Sequence, residues 1–319
     1  MSTMNYYGEP PQPQFQPKYN RFLSGTTEFM ESNSAISNFA FLILVVVAFM
    51  ICIQMGIAFI EYIFYPKTDV RLIRGMIEAN SQVEIIQDPA QIGSKTIYRS
   101  ADERAGLEFT YSTWIFVEGM TTEVGDLAHV FHKGERNFAS TEFEVGGQEI
   151  PKGMNYPNNG PGVYLRKTAG DEADAAEMDQ ADMVVVMNTF PDETNSLQSN
   201  HIVEQVDIGN IPLHNWVLVT VVVRGRNLDV YINGNIAKRH ILTGVPKQNY
   251  GNIYAGSNGG FRGKLSNLTY YNEAIGTREI YNTLRLGPDM RMTNNANLLN
   301  KNFDYLSLGW FLGRGQDSA

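Results

Sequence analysis

The chain has 319 residues, one cysteine and a net charge of -9. Its 25 Lys and Arg form few clusters, which excludes a nucleic-acid partner, because phosphate recognition needs Lys and Arg gathered on one face. The lone Cys52 excludes an intramolecular disulfide and a multi-cysteine metal centre, so the fold must rest on its apolar core.

Residues 1–37 form a Pro/Gln-rich tail that includes Pro10-Pro11-Gln12-Pro13-Gln14-Phe15-Gln16-Pro17. Such a composition buries too little apolar surface to offset the entropy of ordering, so no independent fold is expected there. Residues 38–65 are expected to be a transmembrane helix. The run from Phe39 to Ile60 carries no charge, and at 1.5 Å per residue it reaches about 33 Å, the thickness of a hydrocarbon core. Tyr62, Phe64 and Tyr65 follow where interfacial aromatics belong, and Pro66 ends the helix. The run is too long, and starts too far into the chain, for a signal peptide. Lys67, Arg71 and Arg74 outweigh Lys18 and Arg21 across it, so the positive-inside rule places the C-terminal domain on the cytosolic side of the bilayer. The sequon Asn267-Leu-Thr269 falls in a predicted strand and is discounted as a glycosylation site.

Residues 66–95 are expected to be a linker, with Val70, Leu72, Ile73, Met76 and Ile77 at the spacing of a short amphipathic helix. From 96 to 287 short β-branched and aromatic runs alternate with Gly, Asn, Asp and Pro, which predicts an all-β domain. Strands are expected over 107–117, 182–190, 201–207, 216–224, 228–233 and 265–272. Asn233-Gly234 supplies the residues of a type I′ hairpin turn. Helical periodicity is confined to Thr277–Leu284, with Thr277 as its cap. Even strand spacing with little helix predicts two antiparallel sheets packed as a jelly-roll sandwich.

The order Phe109-Thr-Tyr-Ser-Thr-Trp114-Ile-Phe-Val, Phe131-His-Lys-Gly134, Asn215-Trp216-Val-Leu-Val-Thr220, Leu228-Asp-Val-Tyr-Ile-Asn233-Gly234, Ile253-Tyr-Ala-Gly256 and Phe261 to Asn272 resembles the concanavalin A-like jelly roll of laminin G and pentraxin type. The resemblance implies that Trp114 and Trp216 are core residues. It also implies sugar binding, protein adhesion or, in a glucanase branch, glycoside hydrolysis; the fold does not choose among them. Calcium near one rim is the one ion that the resemblance admits, with no ligands assigned; no other cofactor is expected.

Glu172, Asp174 and Glu177 match the E-x-D-x-x-E spacing of the retaining glucanase branch. The acidic, alanine-rich segment around them has no apolar strand face and no aromatic to hold a sugar, so the expectation is a solvated loop and no enzyme, the alternative being a calcium-binding acidic loop. The five histidines, His129, His132, His201, His214 and His240, show no metal-binding spacing. Tyr156, Asn158 and Asn159, in the Gly- and Pro-rich loop from Gly153 to Gly162, are the candidate ligand-binding residues. In the arm of residues 288–319, Phe303, Tyr305, Trp310 and Phe311 are the candidate partner-docking residues, an alternative being that the arm packs back on its own domain.

Anchor, sandwich and tails together lead to the expectation of a membrane-anchored structural protein that docks its neighbours. A minor capsid component linking membrane and capsid in a large icosahedral DNA virus suits this architecture. The alternatives are a membrane-tethered, glycan-binding, lectin-like module and, resting on Glu172, Asp174 and Glu177 alone, a retaining glycosidase.

Overall fold

The structure is a computed structural model, and it describes residues 35–64, 69–91, 93–100, 102–103, 106–120, 122–168, 180–190 and 202–293. The chain divides into two units, Met1–Pro66 and Lys67–Ala319. The first contains helix α1 (Ala35–Phe64), whose segment Asn38–Ile60 is long and apolar enough to cross a membrane. Its described side chains are exposed and, Asn38 and Gln54 apart, apolar on all sides. The side chains of Tyr62 and Phe64, and all of Tyr65, lie outside the described residues.

The second unit is a two-sheet antiparallel sandwich. In chain order its strands are β1 (Asp69–Arg71), β2 (Met76–Glu78), β3 (Val83–Ile85), β4 (Asp102–Glu103), β5 (Gly106–Gly119), β6 (Leu127–Gly134), β7 (Phe143–Val145), β8 (Gln148–Ile150) and β9 (Gly162–Thr168). There follow β10 (Gln180–Phe190), β11 (Ile202–Ile211), β12 (Trp216–Arg224), β13 (Asn227–Ile232), β14 (Asn235–Ile241), β15 (Val245–Pro246), β16 (Asn252–Ala255), β17 (Arg262–Tyr271) and helix α2 (Thr277–Leu286). One sheet has the order β1-β17-β5-β12-β13-β14, and the other has the order β11-β10-β9-β6-β16-β3. The strands expected from the sequence are β5, β10, β11, β12, β13 and β17.

Side-chain alternation builds the core. Val217, Val219, Val221 and Val223 of β12 face inward with Phe109, Tyr111, Ile115 and Val117 of β5, against Met183, Val185 and Met187 of the opposite sheet. Both sheets are also covered outside. Val184 and Val186 of β10 pack under Ile150, Met154 and Phe138, which explains why the run from Met183 to Met187 is uninterruptedly apolar. On the other sheet Trp114, Leu218 and Val222 lie beneath Ile275 and Ile280 of the α2 region. Trp114 is therefore buried as expected, but under the helix rather than between the sheets, and Trp216 is only half-buried beside it.

Two local expectations are corrected. Residues 69–85 are not a helical linker: β1 and β2 pair with β17, and β3 pairs with β16, so the sandwich begins well before residue 96. The cap of α2 is Gly276 rather than Thr277. The Gly276 N–H donates to the Glu279 carboxylate at 2.8 Å, which leaves Thr277 as the first helical residue. The hairpin turn holds, with Asn233 at φ 49° and Gly234 at φ 80°.

Asn267 sits in a bulge of β17 at φ 51°, between register-shifted Ser266 and Thr269. The extra residue lets both Leu265 and Leu268, three apart, face the core. Its side-chain oxygen accepts from the Gly75 N–H at 3.2 Å. The first part of the C-terminal arm packs back on the sandwich, where the Met76 N–H donates to the Arg291 carbonyl and the Thr293 N–H to the Met76 carbonyl, both at 2.8 Å.

Candidate functional site

A cleft of about 360 Å³ opens at one end of the sandwich, between residues 87–99 and 247–252. Its volume is in the range of small-ligand sites, about 300–1,000 Å³. Gln87, Tyr98, Arg99, Lys133, Gln248 and Tyr250 are among its lining residues. A narrow extension shares Lys133, Gln248, Asn249 and Tyr270 with it and reaches Tyr111 and Lys247. The Tyr111 hydroxyl is buried with no hydrogen-bond partner among the described residues.

The frame is built from amides. Asn252 Oδ1 accepts from the Gln87 N–H at 3.0 Å, and Gln87 Oε1 accepts from the Ile97 N–H at 3.2 Å, which joins the two walls to each other. Asn249 donates to the Lys133 carbonyl at 3.0 Å and accepts from the Gly251 N–H at 2.8 Å. Gly251 is needed there because a Cβ at this position would lie 2.6 Å from the Gly134 carbonyl oxygen. Framing occupies these groups and leaves others for a ligand. Tyr98 is 50% and Tyr250 76% exposed, and the Gln248 side chain makes no hydrogen bond among the described residues.

Lys133 is the penultimate residue of β6 and lines both the cleft and its extension. It is 8% exposed, and its ammonium donates to the Gly251 carbonyl at 3.0 Å. Burial lowers its pKa to about 8. Lys247 is also lowered by burial, and its ammonium lies 4.7 Å from the centre of the Phe190 ring.

The loop singled out in the sequence behaves differently. Asn159 is buried, its amide donates to the Asn155 carbonyl at 2.6 Å, and its Oδ1 accepts from the Tyr164 hydroxyl at 2.6 Å. This corrects the expectation for Asn159, whose polar atoms hold the loop together and face no ligand. The Asn158 carbonyl accepts from the Asn155 side chain, and half-buried Tyr156 packs edge-on against Phe143 at 5.4 Å. Glu172, Asp174 and Glu177 lie outside the described residues, as do Phe303, Tyr305, Trp310, Phe311 and His201. Among the described residues no group of three or more His, Cys, Asp or Glu could hold a metal ion.

Sequence reasoning missed the cleft. Its one local signal is the polar, aromatic stretch Lys247-Gln-Asn-Tyr250-Gly-Asn252, which is too hydrophilic for a core element and still carries a large ring.

The class defined by this geometry is a two-sheet antiparallel jelly roll. A family model described as the concanavalin A-like lectin/glucanases superfamily, of laminin G type, matches residues 192–281, less than half of the chain, and supports a concanavalin A-like, laminin G-like domain. No curated protein matches the chain. Among solved structures, the chain is similar to a binding domain of botulinum neurotoxin DC in complex with rat synaptotagmin II, at 9% identity and a TM-score of 0.34. That similarity covers 59% of this chain and 37% of the other. It is also similar to the botulinum neurotoxin type G receptor-binding domain, at 9% identity and a TM-score of 0.36, covering 67% and 45%. A third is a heptameric SAP-like pentraxin from Limulus polyphemus, at 11% identity and a TM-score of 0.34, covering 70% and 81%. The chain thus spans little more than a third of the first of these, 37% of its length.

Proposed function

We propose that the chain is a membrane-anchored, non-catalytic binding protein whose jelly roll takes carbohydrate into the cleft between residues 87–99 and 247–252. The observation that carries this reading is the pair of exposed rings, Tyr98 and Tyr250, on a rigid amide frame around a cavity of about 360 Å³. Sugars offer an apolar C–H face that packs on aromatic rings and a rim of hydroxyls that meets amide and carbonyl groups. Helix α1 supplies the tether. The test is retention of the detergent-solubilised full chain on a glycan array, repeated with Tyr98→Ala and Tyr250→Ala. Retention that both variants lose supports the reading; folded protein that retains no glycan overturns it.

A second reading is favoured by a separate observation. Leu286 is 84%, Met290 59% and Met292 55% exposed where the chain leaves the sandwich toward residues 294–319. In this reading the helix holds the chain in a bilayer, and the apolar arm, with Phe303, Tyr305, Trp310 and Phe311, docks neighbouring structural proteins. The setting is a minor capsid component between the internal membrane and the capsid of a large icosahedral DNA virus, with the sandwich on the capsid side. Cross-linking mass spectrometry on native membranes or particles decides it: reproducible links from residues 1–37 and 288–319 to other chains support docking, and links confined to this chain sink it.

A further inference from the structure

Lys133 presents a charge with no counter-charge. Among the described residues its ammonium forms no ion pair, and its hydrogen bond to the Gly251 carbonyl uses one of three donors. Asp88, which lines the cleft, and Glu84 of the neighbouring β3 are engaged elsewhere. Asp88 accepts from the Ala90 N–H at 3.0 Å within its own turn, and Glu84 accepts from the Asn252 amide at 2.7 Å and the Tyr254 hydroxyl at 3.0 Å. Arg99 lines the cleft and Lys247 its extension, so a cationic recess is set into a chain of net charge -9. Holding a loop to a carbonyl requires a donor but not a buried charge, and a buried charge left uncompensated is costly.

We infer that the cleft selects an acidic sugar, one that carries a carboxylate or a sulfate, with the Lys133 ammonium as its charge contact. This deepens, and rests on, the carbohydrate-binding reading of the same cleft. The exposed rings hold the sugar body, and the anion reaches the floor, where it supplies the missing counter-charge.

The test uses the full chain in detergent and matched probes: methyl β-D-glucuronide against methyl β-D-glucoside, and a methyl galactoside 6-sulfate against its unsulfated parent. The two pairs separate carboxylate from sulfate. At pH 7 at least one acidic member is expected to bind about tenfold or more tighter than its neutral partner, the factor that 1.4 kcal/mol supplies. The advantage shrinks by pH 9, because both probes stay ionised while Lys133, lowered by burial to about 8, loses its proton. The groups around Lys133 are Arg99 and Asp88 on one wall, Lys247 and Tyr250 on the other, and Tyr111 and Tyr270 below. Burial holds both lower tyrosines above their ordinary range, and it moves Lys247 in the same direction as Lys133. Lys133→Met separates the two lysines: the ratio of affinities within each acidic-neutral pair falls to about one, and Lys133→Arg retains the acidic advantage. Equal affinity within both pairs, or an advantage that Lys133→Met leaves intact, overturns the inference while the carbohydrate reading stands. Absence of any sugar binding by folded protein overturns both. If Lys133→Met fails to fold, the wild-type pH profile carries the decision.

Discussion

The Nε2 of His129 lies 2.7 Å from the Nδ1 of His132, and the surrounding hydrogen bonds define the tautomer of both rings. The Ser257 N–H donates to His129 Nδ1 at 3.0 Å, so that nitrogen is an acceptor and the proton sits on Nε2. His129 Nε2 therefore donates to His132 Nδ1, and His132 Nε2 donates to the Glu135 carbonyl at 3.0 Å. The chain of bonds works only with both rings neutral. Phe138 stands edge-on to both, and Tyr254 stacks on His132 at 5.1 Å.

Acid should break this pair. Burial, reinforced by its neighbour, holds His129 well below its ordinary value, and burial lowers His132 to about 4. A depressed histidine pKa means that the unfolded chain binds the proton more readily than the folded one. Stability is thus complete above the unfolded value near 6.5 and declines as pH falls toward about 4. Denaturant titrations over this window should lose about 1.4 kcal/mol per pH unit for each histidine that titrates. His132→Gln should flatten the dependence; an unchanged slope would refute the assignment.

Glu204 predicts a second acid transition at lower pH. Burial pushes its carboxyl up, but donors from Thr243, Thr189 and Gly244 outweigh that and hold it below its ordinary value. It lies on β11, bonds Thr189 of β10 at 2.8 Å, the Thr243 N–H at 2.9 Å and His240 of β14 at 3.2 Å, and so clasps the open edges of the two sheets together. Its contribution is present above the unfolded carboxylate value and is lost as pH falls through the folded one. Glu204→Ala strands these donors in the interior and should cost about 2–4 kcal/mol by chemical denaturation. A cost below about 0.5 kcal/mol would refute the clasp.

How much of this was legible in the sequence follows from how local each signal is. Val217 to Val223 and Asn233-Gly234 announce strand and turn within a few residues, and they form as announced. Val70, Leu72, Ile73, Met76 and Ile77 satisfy a helical spacing equally well, and what puts Val70, Met76 and Ile77 in strands is pairing with Tyr270, Ser266 and Leu265, far along the chain, while Leu72 and Ile73 bend between them and donate to the Leu268 carbonyl. The cleft is less legible still. Tyr98, Lys133, Tyr250 and Tyr270 come from separate segments that only the sheet order brings together. Asn159 shows the converse: in a polar loop that looks like a ligand rim in sequence it folds its amide inward, because burying it requires partners and Tyr164 and Asn155 supply those.

Gly251→Ala should separate cleft integrity from overall stability. The new methyl meets the Gly134 carbonyl oxygen at 2.6 Å and the Gly134 Cα at 2.8 Å, so residues 247–252 must move away from the end of β6. That displaces the carbonyl that Lys133 bonds and shifts Tyr250 relative to Tyr98. Overpacking of this kind costs about 1–3 kcal/mol, small enough for the sandwich to survive. Sugar retention should fall sharply while the circular dichroism spectrum stays unchanged. Full retention would show that the ligand contacts lie elsewhere.

Gly75→Ala should loosen the C-terminal stretch from the sandwich. Gly75 has φ 80°, in the left-handed region, and an added Cβ would collide with the Thr293 hydroxyl and lie 2.5 Å from the Arg291 carbonyl oxygen. Those atoms belong to the segment that Met76 holds through its N–H and carbonyl, and that Ser266 holds through a 2.9 Å bond from its hydroxyl to the Asp289 carbonyl. Steric conflict and backbone strain together should cost about 1–3 kcal/mol, concentrated on residues 289–293. Hydrogen exchange is the measurement. The Thr293 amide, protected in the native protein by the Met76 carbonyl, should exchange at least tenfold faster in the variant, while amides of β12, deep in the same sheet, keep their protection. Equal acceleration in β12 would show instead that Gly75 supports the whole sandwich, and no acceleration at Thr293 would show that the arm is held by other contacts.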